Sequence, residues 1–449
     1  MERLPSETLR AGVERALREA IQGGALRPGV RLPSSRALAA HLGVSRGVTT
    51  EAYLQLAAQG YLVTRTKATP VVADIPLGPP TVPRSAPAAR RPVRYDFTPN
   101  TPDVTLFPVR RWSSVLQEAL RTVPLATYDY GDPRGEPELR RVLADHLGRT
   151  RGVVCEPAQI VVVQGAAQGI DLLARVLAVR GARRVAVEDP SLDSQPHRFR
   201  ERGLEAIAQP VDREGILVDG LSADAALVTP AHQFPTGAVL SGSRRRQLLD
   251  WARHHGSLVI EDDYDAEFRY DRRPVRALQG LDPDRVAYLG TTSKTLAPAL
   301  RLGWVVLPAE IADEGQRVKH LLDVCSPALE QHALARYIER GDYDRHVRRA
   351  RGIYRRRCER LLAALERHLS GSEVEGIAAG MHVLLRLPPG VDDRAVAAGA
   401  EERGVRVIPL SQFSLSGSTG GGLVLGYGRI HEHALEPAVR ELSRAIEAE

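Results

Sequence analysis

The sequence predicts a multidomain chain: a mostly α-helical N-terminal helix-turn-helix segment, then an α/β domain with a mainly parallel sheet and a small C-terminal α+β part. Three observations predict it. Two short helical patterns meet at a tight turn around Gly43. A proline-rich stretch then interrupts the pattern from Ile75 to Pro92. Beyond it, short apolar runs alternate with helical patterns, as in a sheet covered on both faces. At 449 residues the chain is too long for one ordinary domain.

Within the first segment, Leu9, Val13, Leu17 and Ile21 recur at four-residue steps, the inner stripe of a helix over Ser6 to Ile21 that Gly23-Gly24 ends. Ser34 is placed to cap a short helix through Leu38 to His41. Ser45 caps the next, whose Val48, Ala52 and Leu56 point one way. Tyr61-Leu62-Val63 and Pro70-Val71-Val72 then flank Arg65 and Lys67, as in a small basic hairpin. The second helix of a helix-turn-helix enters the major groove of DNA, and its N-terminal side chains meet base edges and phosphates. Here that end offers Ser45, Arg46, Thr49 and Thr50, with Arg31, Ser35 and Arg36 just before. The formal charge of +6 suits a polyanion partner, although any arginine-rich protein would share it.

Domain limits follow from composition: 1–74 for the helix-turn-helix domain, 75–94 for a semi-extended linker with Pro76, Pro79, Pro80, Pro83, Pro87 and Pro92, and 95–449 for the α/β domain. The α/β domain divides into a large part, 95–326, and a small part, 327–449. Strands are expected at Ile160 to Val163, Arg184 to Val187, Ala226 to Val228, Leu258 to Ile260, Val286 to Leu289 and Gly303 to Val306. An arginine-rich helix is expected from Tyr343 to Leu362. There is no internal repeat. No apolar run is long enough to span a membrane, and Met1-Glu2-Arg3-Leu4-Pro5 has no signal-peptide character, so a cytoplasmic protein without a membrane partner is expected. Cys155, Cys325 and Cys358 are too scattered for a metal cluster or a disulfide framework, and no metal is expected.

Of 61 basic residues only Lys67, Lys294 and Lys319 are lysines, which leaves 58 arginines. Where positive charge suffices this chain uses arginine, so each lysine raises the question of whether a deprotonatable amine is needed. Arginine can neither lose its proton nor form an imine. Lys294 lies in Thr291-Thr292-Ser293-Lys294 after a buried strand, with Arg301 beyond. Asp262 ends another strand, with Tyr264 two residues on. Gly165-Ala166-Ala167 joins a strand to a helix expected to open at Gly169, where amides and a helix dipole can receive phosphate. An imine-forming lysine, a carboxylate for a ring nitrogen, a hydroxyl for a ring oxygen and a phosphate cradle are the requirements for holding pyridoxal 5'-phosphate (PLP). Thr291, Ser293 and Arg301 would complete the cradle.

Two stretches resemble known families. Leu32-Pro33-Ser34-Ser35-Arg36-Ala37-Leu38-Ala39 with Gly43-Val44-Ser45-Arg46 resembles the GntR-type winged-helix signature, which implies operator DNA as partner and Arg31, Arg36, Ser45 and Arg46 as its ligands. Pro230-Ala231-His232-Gln233-Phe234-Pro235-Thr236-Gly237, Glu261 through Phe268, and Tyr130-Gly131-Asp132-Pro133-Arg134-Gly135 resemble motifs of the fold-type I aminotransferase-like domain of MocR regulators. That likeness implies a PLP-dependent regulator acting as a head-to-tail homodimer and responding to PLP or an amino-acid-like effector. Lys294 would be the Schiff-base residue and Asp262 the pyridine partner; Tyr264 would meet the ring oxygen, with Gln233 and Tyr130 near the cofactor. The aromatic that stacks on the ring in that family falls at Leu192 here, and no arginine occupies Leu423-Val424-Leu425-Gly426-Tyr427, where a substrate carboxylate would be gripped. A working aminotransferase carrying a DNA-binding domain is the alternative. A scaffold that has lost its cofactor is a third reading, against which Lys294 stands.

Overall fold

The computed structural model describes residues 8–64, 68–74, 93–270, 275–376, 379–417 and 420–449. The chain divides into two compact units, Met1–Arg90 and Arg91–Glu449. Arg65, Lys67 and most of the 75–94 linker lie outside the described residues.

In the first unit, α1 (Leu9–Gln22), α2 (Ser35–Leu42) and α3 (Arg46–Ala58) precede an antiparallel pair, β1 (Leu62–Val63) and β2 (Val71–Val72). Capping follows the sequence: the Ser34 hydroxyl accepts from the Ala37 amide, Ser45 accepts from Val48, and Gly43 ends α2 in the left-handed region at φ 65°. Val13, Ile21, Leu38, Ala52, Leu56, Leu62 and Val72 form one core, so the apolar stripes of all three helices meet. Leu9, at the start of the first stripe, remains exposed.

In the second unit a short strand β3 (Tyr95–Asp96) and helices α4 (Val109–Thr122) and α5 (Pro137–Arg151) lead into the main sheet. Its strands are β4 (Ile160–Val163), β5 (Arg184–Asp189), β6 (Glu205–Asp212), β7 (Gly215–Ile216), β8 (Ala225–Val228), β9 (Leu258–Asp262), β10 (Val286–Thr291) and β11 (Gly303–Val306). Their order is β4-β11-β10-β9-β8-β5-β6-β7. The centre, β10-β9-β8-β5-β6, is parallel; β11 runs antiparallel to both neighbours, and β7 antiparallel to β6. Helices α6 (Ala166–Val179), α7 (Ser194–Arg200), α8 (Gly242–His255) and α9 (Ala312–Asp323) cover it. Both faces of β4, β8 and β11 are buried, which is why these strands read as unbroken apolar runs. The pair β6 and β7, at the sheet edge, had no comparable run to announce it.

The chain continues through α10 (Ala328–Glu339), α11 (Asp342–His368), β12 (Val374–Glu375), β13 (His382–Arg386), α12 (Asp393–Glu402), β14 (Val405–Arg406), β15 (Ile408–Pro409), β16 (Gly422–Gly426) and α13 (Leu435–Ile446). Strands β12-β13-β16-β15 form an antiparallel sheet, and β14 pairs with β3. The core here joins Tyr354, Leu361, Val383 and Leu425 to Phe97 from the start of the unit. Conversely, Leu334 and Tyr337 of α10 pack with Trp112 and Leu143 in a core of the large sheet. The two cores thus interleave in sequence across the expected border at 326/327. Among the described residues, no helix is long and apolar enough to cross a membrane.

Candidate functional site

A cavity opens at the carboxyl ends of the parallel strands, where loops leaving β4, β5, β9 and β10 converge. Its lining includes Asn100, Ala166, Ala167, Glu188, Leu192, Asp262, Tyr264, Thr291, Ser293, Lys294 and Arg301. Most residues assigned to the cofactor from sequence are thus brought together.

The acidic run Glu261-Asp262-Asp263 shows how one strand end sorts three like charges. Successive side chains alternate between faces. Glu261 turns one way and accepts the amides of Leu278 and Gln279 at 2.9 Å each. Asp263 pairs with Arg151 at 2.7 and 3.1 Å and accepts the Tyr288 hydroxyl at 2.7 Å. Asp262 faces the cavity. Its Oδ2 accepts from Gln195 Nε2 at 3.3 Å, while Oδ1 is buried and has no partner among the described residues. Burial pushes its pKa up to about 7, with Asp263 raising it further and Lys294 opposing. A buried carboxylate oxygen without a donor is a place for a cationic N–H, such as a protonated pyridine nitrogen.

Lys294 follows β10 by three residues and donates to the Asn100 carbonyl at 2.5 Å. Burial lowers its pKa to about 8, against the opposing pull of Asp265 and Asp262. The shift enlarges the neutral fraction near neutral pH, the form that attacks an aldehyde. Lys319 corrects the simplest use of lysine scarcity: it is fully buried, paired with Asp323 at 2.6 Å and Ser326 at 3.0 Å, and therefore structural.

At the phosphate end, α6 opens at Ala166, one turn before the expected Gly169. Gly165 adopts φ 81° and ψ 170°, a region essentially reserved for glycine, and a Cβ there would lie 2.9 Å from the Arg301 guanidinium. Gly169 instead lets α6 settle on the sheet, since a Cβ would fall 2.4 Å from Leu289. The first amides of a helix have no intrahelical acceptor, so those of Ala166 and Ala167 are available to an anion. Thr291, Ser293 and Arg301 stand beside them; Thr291 donates to Ser293 at 3.0 Å and Arg301 donates to the Gln164 carbonyl. The cavity thus offers an amine, an orphaned carboxylate oxygen and an anion cradle, and these residues fit PLP.

One cofactor assignment is corrected. Gln233 does not line the cavity; it is buried and spent on Glu188, the Pro190 and Phe234 carbonyls, and Thr236. Tyr130 is 83% exposed and stands outside its own chain's cavity. Tyr264 does line the cavity, its hydroxyl donating to the His232 carbonyl at 3.0 Å and lying 3.2 Å from His232 Nδ1, which meets Asp265 at 2.9 Å. Sequence reasoning missed Gln195, Asn100 and Glu188. Glu188, held by the Thr229 amide and hydroxyl, is pushed up to about 7 by burial. Its position near the end of β5, as Asp262 ends β9, was the available signal. Leu192 lies on the wall beside Phe234 and Phe413, with Val424 in the same apolar cluster. Arg429 sits 3.8 Å from Asp96 and is half exposed, away from this wall.

In the first unit, Arg31, Arg36, Ser45 and Arg46 are exposed, and the three guanidinium groups have no partner among the described residues. Thr49 is a correction: it is fully buried, and its hydroxyl ties the Ser35 carbonyl at 2.7 Å and that of Arg46 at 3.0 Å, fixing α3 on α2 instead of reaching outward. Ser35 is half-buried.

Residues 9–72 match the family described as bacterial regulatory proteins, gntR family, and residues 100–430 match aminotransferase class I and II. The chain is 35% identical over 430 residues to the uncharacterized HTH-type transcriptional regulator YhdI of Bacillus subtilis, covering 93% of this chain and 91% of the relative. It is 32% identical to the probable rhizopine catabolism regulatory protein MocR of Rhizobium meliloti, covering 96% and 92%. With the pyridoxine biosynthesis transcriptional regulator PdxR of Corynebacterium glutamicum it shares 34% identity over 96% and 94%. The second unit is similar to the crystal structure of Pyrococcus horikoshii kynurenine aminotransferase in complex with PMP, at a TM-score of 0.73 and 26% identity over 79% of this chain and 90% of that one.

Proposed function

The chain belongs to the MocR-type regulators, a gntR-family DNA-binding domain joined to an aminotransferase class I and II domain, and on that premise we propose that it is a transcription regulator controlled through PLP held on Lys294. The observation that carries the reading is the Asp262 oxygen, partnerless among the described residues and facing a cavity that also presents a low-pKa lysine, in a chain whose other unit exposes arginines around a helix-turn-helix.

Each residue has a definite task. Asp262, oriented by Gln195, holds a positive ring nitrogen; Tyr264 meets the ring oxygen; Arg301, Ser293, Thr291 and the amides opening α6 receive the phosphate. Lys294 supplies the amine that anchors the group covalently. PLP, when bound, supplies an aldehyde and an electron-withdrawing ring. Arg31, Arg36, Ser45 and Arg46 meet operator DNA, with Arg65 as a further ligand. The protein acts in the cytoplasm as a head-to-tail homodimer, and Tyr130, exposed with Leu125 and Tyr128, is available to a second copy. PLP, or its adduct with an amino-acid-like effector, acts by binding unequally to two arrangements of that dimer.

A working aminotransferase is the second reading, favoured by the intact Lys294 and Asp262. Against it stands β16, whose Leu423-Val424-Leu425-Gly426 has no arginine at the place where related aminotransferases grip a substrate carboxylate.

The test is a PLP titration of the wild type and Lys294→Ala by visible absorption, with borohydride reduction and peptide mapping. The same proteins are then assayed on DNA selected from a random duplex pool, with and without PLP. A visible band confined to the wild type, label on Lys294, and DNA affinity that shifts with PLP are expected. No band in the wild type would sink the PLP reading and leave the second unit as a scaffold; steady turnover of amino donor with keto acceptor would favour the enzyme.

A further inference from the structure

One charged group of the cavity has no task in that reading. Arg198 lies on α7, whose orientation is fixed at two points: Phe199 is fully buried in the core, and Gln195 donates to Asp262 at 3.3 Å. Residues three and four apart share a helix face, so Ser194, Gln195 and Arg198 turn together toward the cavity, and all three line it. Of the three cations in that lining, Lys294 is tied to the Asn100 carbonyl and Arg301 to the Gln164 carbonyl. Arg198 is half-buried and has neither a hydrogen bond nor an ion pair among the described residues. A guanidinium partly withdrawn from water with no acceptor is stabilised by any oxyanion brought to it.

The remainder of the cavity leaves room for such a role. The cradle positions of α6 are Ala166 and Ala167, which have no hydroxyl to donate. The lining at Leu192 and Phe234 is apolar, and Val424 belongs to the same apolar cluster. The Ser191 hydroxyl, buried in the same lining, has no partner either.

We propose that Arg198 is an anion-recognising residue of this cavity, receiving an oxyanion of the bound ligand, either the phosphate of the cofactor or the carboxylate of an amino compound. The proposal rests on the PLP reading above. Its planar fork of donors matches both groups in bidentate fashion.

Wild type, Arg198→Gln and Arg198→Leu separate the two sources. Each is titrated with PLP and with pyridoxal, which lacks the phosphate; PLP-loaded protein is then titrated with γ-aminobutyrate and with propylamine, which lacks the carboxylate. If Arg198 meets the phosphate, both variants lose PLP affinity on the order of tenfold while pyridoxal is unchanged. If it meets a carboxylate, PLP affinity holds and the preference for γ-aminobutyrate over propylamine falls on the order of tenfold. Both preferences within twofold of wild type, with a normal PLP band, overturn the Arg198 role alone. Absence of the band in the wild type removes the PLP reading and this one with it. Arg198 sits half-exposed on a surface helix, and near-ultraviolet circular dichroism of each variant checks that the fold is kept.

Discussion

The two units set their functional charges in opposite surroundings. In the first, Arg31, Arg36 and Arg46 stand exposed and unpaired among the described residues; in the second, Asp262, Glu188 and Lys294 are withdrawn from water and pushed toward their neutral forms. Exposed charges act over a Debye length on a polyanion, so salt weakens them. Buried groups act only on what enters the cavity; salt hardly reaches them, and pH governs them instead. One chain thus joins a site read through electrostatics to a site read through proton chemistry.

Lys294→Arg breaks the comparison most directly, because it keeps the charge and removes the nucleophile. Complete loss of the visible band on adding PLP is expected, with DNA affinity in the absence of PLP unchanged; a retained band would assign capture to another amine.

Salt should divide the units next. With Arg31, Arg36, Arg46 and Arg65 each neutralising a phosphate, log DNA affinity should fall against log salt with a slope of about −3.6 per DNA-binding unit, while PLP affinity changes far less. Arg46→Ala should weaken binding by roughly 1–3 kcal/mol and reduce that slope by about 1, read by fluorescence anisotropy across a salt series. An unchanged slope would remove Arg46 from the interface.

The pH dependence carries a definite sign. Burial lowers the Lys294 pKa to about 8, so the reactive neutral amine dominates above that value and is depleted below it. The stopped-flow rate of PLP capture should therefore level off above about pH 8 and fall by about tenfold per unit beneath it. A rate still climbing at pH 10 would mean that the cavity does not depress this lysine.

The smallest effect concerns Leu192. Replacing it by tyrosine restores an aromatic face against the cofactor ring and should tighten PLP binding by about 0.5–1.5 kcal/mol, measured by equilibrium titration. No gain would show that the wall of Phe234 and Phe413 does not bring position 192 against the ring.

Much of the fold was legible because its signals are local. Ser34, Gly43 and Ser45 punctuate the helix-turn-helix through their own backbone chemistry, and β4, β8 and β11 announce themselves as apolar runs since both of their faces are covered. Thr49 was misplaced for the converse reason: a hydroxyl near a helix start reads as outward until the preceding helix is seen to lie across it. Gln233 was displaced by the same kind of long-range fact, since its amide is consumed by Glu188, 45 residues away in the chain.

By itself, then, the sequence determined the two-unit plan, the helix-turn-helix, the strand ends on which Asp262 and Lys294 sit, and the choice of lysine where 58 arginines show that charge alone was cheap to supply. Only the tertiary structure decided which groups are free. Glu261, Asp262 and Asp263 look alike in the chain, yet two are satisfied by partners and one keeps an unpartnered oxygen facing the cavity. Lys294 and Lys319 are likewise both lysines, yet Lys319 is closed in an ion pair. Arg198 is one arginine among many until α7 turns it into the cavity without an acceptor. The physical reason is that availability is a property of what surrounds a polar atom, and partners drawn from distant strands and helices are fixed only when the chain folds.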